Sequence, residues 1–147
     1  MKTISVIILC FILPVLVFTS CSTIAGGTPE SNEELYKAAI ERYYNSLLQL
    51  DVDSFLDSLD PRGPLYPDAD TIDQMRAEAD TSSLAGEVVV NELMILEESN
   101  NWVRVKAELF MSIDFSNSGE PFEETIYPTF ELTLIDGKWR VFNGSLE

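Results

Sequence analysis

The sequence predicts an α+β domain in which N-terminal helices pack on an antiparallel sheet of about four strands. Three observations carry this. Between positions 30 and 80, apolar residues recur at the 3.6-residue spacing of amphipathic helices. From Gly86 onward the period changes to two, the pattern of strands with one buried face. Near the C-terminus, Asp136-Gly137 is a two-residue hairpin signal, and the register it sets agrees with the register of the apolar pattern.

Ahead of the domain, residues 1–20 hold 14 apolar residues and one charge, Lys2. The run from Ile4 to Phe18 is short for a membrane span, which needs about 20 residues. A basic start, an apolar middle and small residues at the end match a secretory signal peptide. Val17-Phe18-Thr19-Ser20-Cys21 resembles a bacterial lipobox, in which the Cys is diacylated and becomes the new N-terminus; Phe18 stands where Leu is usual. The resemblance implies a lipoprotein signal peptide over 1–20 and lipidation of Cys21, with acyl chains such as palmitate. A plain secretory signal with a chance cysteine is the alternative. The other cysteine, Cys10, lies in the leader, so a chain starting at Cys21 has no second thiol for an internal disulfide. Two or three acyl chains hold a protein stably to a bilayer, where one binds marginally. Residues 21–29, with Gly26-Gly27, read as a flexible tether to a single domain over 30–147.

Charge narrows the function. The chain carries 9 Lys plus Arg against 25 Asp plus Glu, a formal charge of −16, and no His. Without residues 1–20 the domain stands at −17. Such a surface excludes a nucleic-acid partner, which needs a basic footprint. It also repels anionic lipid, so the expected membrane contact is the N-terminal lipid and not a basic patch. Absence of His removes Ser-His and Cys-His nucleophile pairs and His-ligated zinc. No cofactor is expected. Nine acids crowd Asp51–Asp80, but neither Asp51-Val-Asp53 nor Asp68-Ala-Asp70 is followed by the Gly and Glu a calcium loop needs. A solvated face with helix-capping aspartates accounts for them better than loose divalent binding at Asp68, Asp70 and Asp73.

The first helix starts at Thr28-Pro29 or at the capping box Ser31-Asn32-Glu33-Glu34. Leu35/Tyr36, Ala39/Ile40, Tyr43, Leu47 and Leu50 form its apolar stripe. A second helix fits Asp53 to Leu59, capped by Asp53 and ended by Pro61. A loop follows over 62–67, and a third helix fits Asp70 or Thr71 to about Asp80.

The strand from Val103 to Phe115 turns Val103, Val105, Ala107, Leu109, Met111, Ile113 and Phe115 to one side. Phe122 to Ile135 is the next strand, with Ile126, Phe130, Leu132 and Leu134 inward and Pro128 implying a bulge or local edge. Pairing across Asp136-Gly137 sets Leu134 opposite Trp139, Leu132 opposite Val141 and Thr133 opposite Arg140. In the strand Glu87–Glu98, a turn at Ser99-Asn100 or Asn100-Asn101 puts Val88, Val90, Glu92, Met94 and Leu96 inward. A three-residue turn instead puts Asn91 inward and Glu92 in water.

Helices followed by long antiparallel strands ending in Ile135-Asp136-Gly137-Lys138-Trp139-Arg140-Val141 resemble the nuclear transport factor two-like superfamily, also called cystatin-like. The short second helix within Leu48–Leu59 fits the same pattern. The resemblance covers about 30–145 and implies a curved sheet wrapped around helices, a conical cavity, and frequent dimerisation through the outer sheet face. Its members include ketosteroid isomerases, dehydratases and noncatalytic ligand-binding domains, so fold does not transfer function.

Within that cone the expected ligand-binding residues are Glu92, Tyr43, Met111, Phe130 and Trp139. An inward Glu92 would be a carboxyl with a raised pKa, able to act as a base or hydrogen-bond donor; the other reading is a solvated Glu at the rim. Tyr36, Tyr43 and Tyr44 lie on or beside the helical stripe, where aromatics are more often core than catalytic. Phe110, Tyr127 and Phe142 on the outer face offer a dimer patch or partner site. The expected function is a lipid-anchored, extracytoplasmic protein of the cell envelope with a noncatalytic domain for a small apolar ligand. The alternatives are a domain docking on an envelope partner through its sheet and an isomerase- or dehydratase-like enzyme using Glu92 and a Tyr.

Overall fold

A computed structural model describes residues 32–79, 84–115 and 120–146. The expectations for the leader, Cys21, the tether and the start of the first helix fall outside these residues. Three helices precede five strands: α1 (Asn32–Leu48), α2 (Val52–Ser58), α3 (Ala69–Ala79), β1 (Ala85–Glu98), β2 (Trp102–Asp114), β3 (Phe122–Ile126), β4 (Pro128–Ile135) and β5 (Lys138–Leu146).

The helices begin where side-chain oxygens meet free backbone N–H groups. Asp51 caps α2, accepting from Ser54 N at 3.1 Å and from Ser54 Oγ at 2.7 Å. This replaces the expected cap Asp53, because Asp51 is the aspartate placed before the first turn and Asp53 lies within it. Asp68 caps α3 through Thr71 N at 2.8 Å, so that helix starts ahead of Asp70. Both caps are solvent-exposed carboxylates, and the bonds to Ser54 and Thr71 hold their pKa values below the ordinary range. The helix α1 stops at Leu48, and Leu50 takes a left-handed conformation (φ 51°). That ends the stripe early, leaving Leu47 on the surface while Leu48 packs on the core.

The sheet is antiparallel throughout, in the order β1-β2-β4-β5, with β3 also on β2. It has five strands where about four were expected. The segments β3 and β4 continue one line along β2 in one register, Leu109 facing Ile126 and Lys106 facing Thr129. The line breaks at Tyr127-Pro128, where proline lacks the N–H a ladder needs. The β4–β5 hairpin has the expected pairs Leu134–Trp139, Thr133–Arg140 and Leu132–Val141. Positive φ at both Asp136 (51°) and Gly137 (76°) makes the tight turn that suits twisted strands.

The core lies between α1, α2 and the concave face. Tyr36, Ile40, Leu59, Val88, Val103, Val105, Leu109, Phe130, Leu132 and Val141 are almost wholly removed from water. Each such side chain contributes about 1.5–3 kcal/mol by burial. The buried pattern of β2 fades beyond Leu109: Met111 and Ile113 are half-buried and Phe115 is exposed, because that end of the strand runs past the helices.

Both outer edges of the sheet are covered in part. On β1, the Asn45 side chain donates to Val88 O (3.0 Å) and accepts from Val88 N (2.9 Å), and Glu41 accepts from Val90 N (2.9 Å). On β5, Leu59 forms a parallel bridge with Val141, and Asp60 N donates to Val141 O at 2.9 Å. Covered edges do not recruit other strands.

Candidate functional site

Two bulges in β1 decide which side chains face the concave side. Beyond the Asn100-Asn101 turn, Glu98 pairs with Val103, and residues directly opposite share a face. The register then shifts at Leu96 and again at Asn91. Between the bulges the inward residues are Leu93 and Ile95, opposite Ala107 and Val105; after the second they are Val90 and Val88. Each bulge inserts one residue and reverses the alternation.

Of the two orientations open to Glu92 the outer one is taken, and its expected place among the ligand-binding residues is thereby corrected. Glu92 lies on the outer face opposite Glu108, exposed to water, and Met94 beside it is 63% exposed. On that face Glu92 is turned away from the helices and their tyrosines, so the isomerase-like role for Glu92 loses its basis.

The acid on the concave side is Glu98. Its Oε1 accepts a hydrogen bond from the Tyr36 hydroxyl at 2.5 Å and one from Asn32 Nδ2 at 3.5 Å. The Tyr36 ring is buried and meets the Trp139 ring edge-to-face with centroids 4.8 Å apart. Burial, then the hydrogen bond to Glu98 and its charge, push the Tyr36 pKa up. The phenol therefore stays neutral and its proton is committed to the carboxylate.

These residues line an open groove of about 830 Å³. Asn32, Leu35 and Tyr36 come from the first turns of α1, Glu98 to Asn100 from the end of β1 and its turn, and Leu134, Gly137 and Trp139 from the β4–β5 hairpin. One wall is apolar (Leu35, Leu134, Trp139) and one end is polar (Asn32, Tyr36, Glu98). Arg42 holds the hairpin wall in place, its Nη2 donating to Trp139 O at 2.9 Å.

The other residues expected to bind ligand are elsewhere. Phe130 is core, packed edge-to-face on Tyr44 at 6.0 Å. Tyr43 is half-buried between Tyr44 and Phe55 and, with Phe130, borders a separate depression of about 230 Å³. Burial raises the pKa of Tyr43, and burial with the neighbouring Tyr43 pushes Tyr44 up to about 12. Met111 packs against the edge of the core. Of the expected set, Trp139 alone borders the groove. On the outer face, Phe110 and Phe142 are half-buried and Tyr127 is 53% exposed. Tyr127 borders a shallow depression of about 400 Å³ with Glu92, Leu93 and Met94.

A second ionised cluster ties the α2 exit to the sheet. Asp60 is fully buried and accepts from Arg62 Nε (2.9 Å) and Nη2 (2.7 Å), Arg62 N (2.9 Å) and Thr133 Oγ1 (2.7 Å). Arg62 foremost, with Thr133, holds its carboxyl well below the usual range against the opposing effect of burial. Every oxygen is engaged within the protein, so the cluster is structural. Among the described residues, no group of three or more acidic or thiol side chains converges as a metal would require.

No protein-family model matches the chain, and no curated protein matches it. Solved structures do. A cystatin-like protein of unknown function from Nostoc punctiforme is 17% identical, with a TM-score of 0.55 over 79% of this chain and 88% of that one. A protein of unknown function from Mycobacterium tuberculosis is 14% identical, with a TM-score of 0.58 over 77% and 73%. A nuclear transport factor two-like protein of unknown function in nutrient uptake, from Rhodospirillum rubrum, is 16% identical, with a TM-score of 0.50 over 75% and 96%. The chain has the cystatin-like fold these structures share.

Proposed function

We propose that this cystatin-like chain is a lipid-anchored, extracytoplasmic protein that binds a small molecule without transforming it. The observation that carries the ligand reading is the groove beside Tyr36, an open concavity with an apolar wall and a few converging polar groups. Small-molecule sites have that composition. A noncatalytic role is supported by the phenol at the site, which is buried, neutral and keeps its proton in the hydrogen bond to Glu98. Anchoring is supported by the lipobox-like run ending at Cys21.

Native mass spectrometry of the full chain from its own membranes tests the ligand reading, with oligomeric state read in the same run. A small molecule released on activation supports it, and a ligand-free dimer opposes it. Cys21→Ala should release the protein from membranes, and continued membrane association would oppose the anchor.

A second reading, docking on an envelope partner through the sheet, is favoured by the exposed apolar residues Met94 and Tyr127 on the outer face. A ligand-free protein that stays bound to a second protein through that face would establish it instead.

A further inference from the structure

We propose that the groove takes an organic cation, a molecule with an ammonium group at one end and an apolar body at the other. This rests on the reading of the groove as a ligand site and names the chemistry that site selects.

Glu98 accepts hydrogen bonds from two neutral donors, Tyr36 and Asn32, and has no cationic partner among the described residues. The bases around it are engaged elsewhere. Lys37 pairs with Glu33 at 3.3 Å, Arg42 with the Trp139 carbonyl at 2.9 Å, and Lys138 and Arg140 both with Asp57. The Tyr36 hydroxyl fixes one oxygen of Glu98 and so orients the carboxylate at the polar end of the groove. The Trp139 ring borders the groove beside it, and aromatic rings attract cations through their quadrupole. Leu35 and Leu134 offer apolar surface for the rest of the molecule. A domain at −17 draws cations towards such a cleft and repels carboxylates and phosphates. An uncompensated carboxylate, an aromatic wall and a strongly acidic field all select the same ligand class.

The test is calorimetric titration of the full chain with phenethylammonium chloride, 2-phenylethanol and 3-phenylpropionate, which share an apolar body and differ in charge. The ammonium should bind about ten-fold more tightly than the alcohol, and the carboxylate weakest. Glu98→Gln, which keeps an oxygen for Tyr36, should bring the ammonium down to the affinity of the alcohol. Equal binding of ammonium and alcohol, or a preference that survives Glu98→Gln, overturns the cation assignment and leaves the groove a site for neutral ligands. No binding of any of the three up to about 10 mM overturns the ligand reading of the groove as well.

Discussion

The side-chain amide of Asn45 pairs with both backbone groups of Val88, as an adjacent strand would. It donates to the carbonyl at 3.0 Å and accepts from the N–H at 2.9 Å. Helix α1 thereby does two things at once. Its buried stripe supplies the core, and its Asn45 and Glu41 close the free edge of β1 up to Val90. The bulge at Asn91 comes directly after this stretch, where the side-chain bonds from Glu41 and Asn45 stop.

Asn45→Ala leaves two half-buried backbone groups on Val88 without partners. An unsatisfied buried group costs about 1–3 kcal/mol, so the expected loss is about 2–3 kcal/mol. Urea unfolding should show a lower midpoint with an unchanged slope. A change under about 0.5 kcal/mol, the range of ordinary surface substitutions, would mean that the amide does not serve as edge closure.

Asp60 makes stability fall in acid. Its folded pKa is depressed below the ordinary 3.8, so the stability it contributes is full above that value and is lost as pH falls through and below it. Asp60→Asn should cost about 2 kcal/mol at pH 7, less than the 3–5 of a fully buried pair because the Arg62 side chain is 70% exposed. The same variant should flatten the acid limb below pH 4. Parallel acid limbs in both proteins would contradict the role given to Asp60.

Tyrosine ionisation makes stability fall in alkali. Tyr36, Tyr43 and Tyr44, three of the five tyrosines, have folded pKa values raised above 10. Above pH 10 the unfolded chain releases protons that the folded one keeps, so stability present below that pH declines as pH rises. Phenolate absorbance should reveal these three only as the protein unfolds, and Tyr36→Phe should lessen the decline. Phenolate signal from all five while the fold persists would contradict their burial.

Gly63 lies against β5 so closely that an added Cβ would sit 2.3 Å from the Phe142 carbonyl oxygen. Gly63→Ala forces backbone to move and should cost about 2 kcal/mol, as overpacking does. Gly137→Ala meets nothing within 4 Å but must hold φ near 76°, which costs about 1 kcal/mol. Thermal unfolding should rank Gly63→Ala below Gly137→Ala, and the reverse order would refute the close approach.

The sequence is most legible where one local signal fixes geometry. Asp136-Gly137 sets the turn and the apolar alternation sets the faces, so Leu134–Trp139 and Leu132–Val141 follow without tertiary information. Glu92 is different. Its orientation depends on bulges at Leu96 and Asn91, and no residue type in Glu92–Leu96 marks them. The Asn91 bulge sits where contacts with Glu41 and Asn45, more than 40 positions away, come to an end. Glu98 was within reach, since a turn at Asn100-Asn101 puts it opposite the inward Val103. It is overlooked because it ends its strand, where alternation carries least weight. Tyr36 was on the helical stripe, but nothing local pairs it with an acid 62 residues later.

The proposed ligand site is the groove formed by α1 and the two hairpin turns. The most direct measurement is a crystal structure of the protein purified from its natural source with no ligand added. It should show a bound molecule between Leu35, Leu134 and Trp139 with a polar end against Glu98. A groove holding only water, or a ligand seated instead at Tyr43–Phe130 or on the outer face beside Tyr127, would contradict the account.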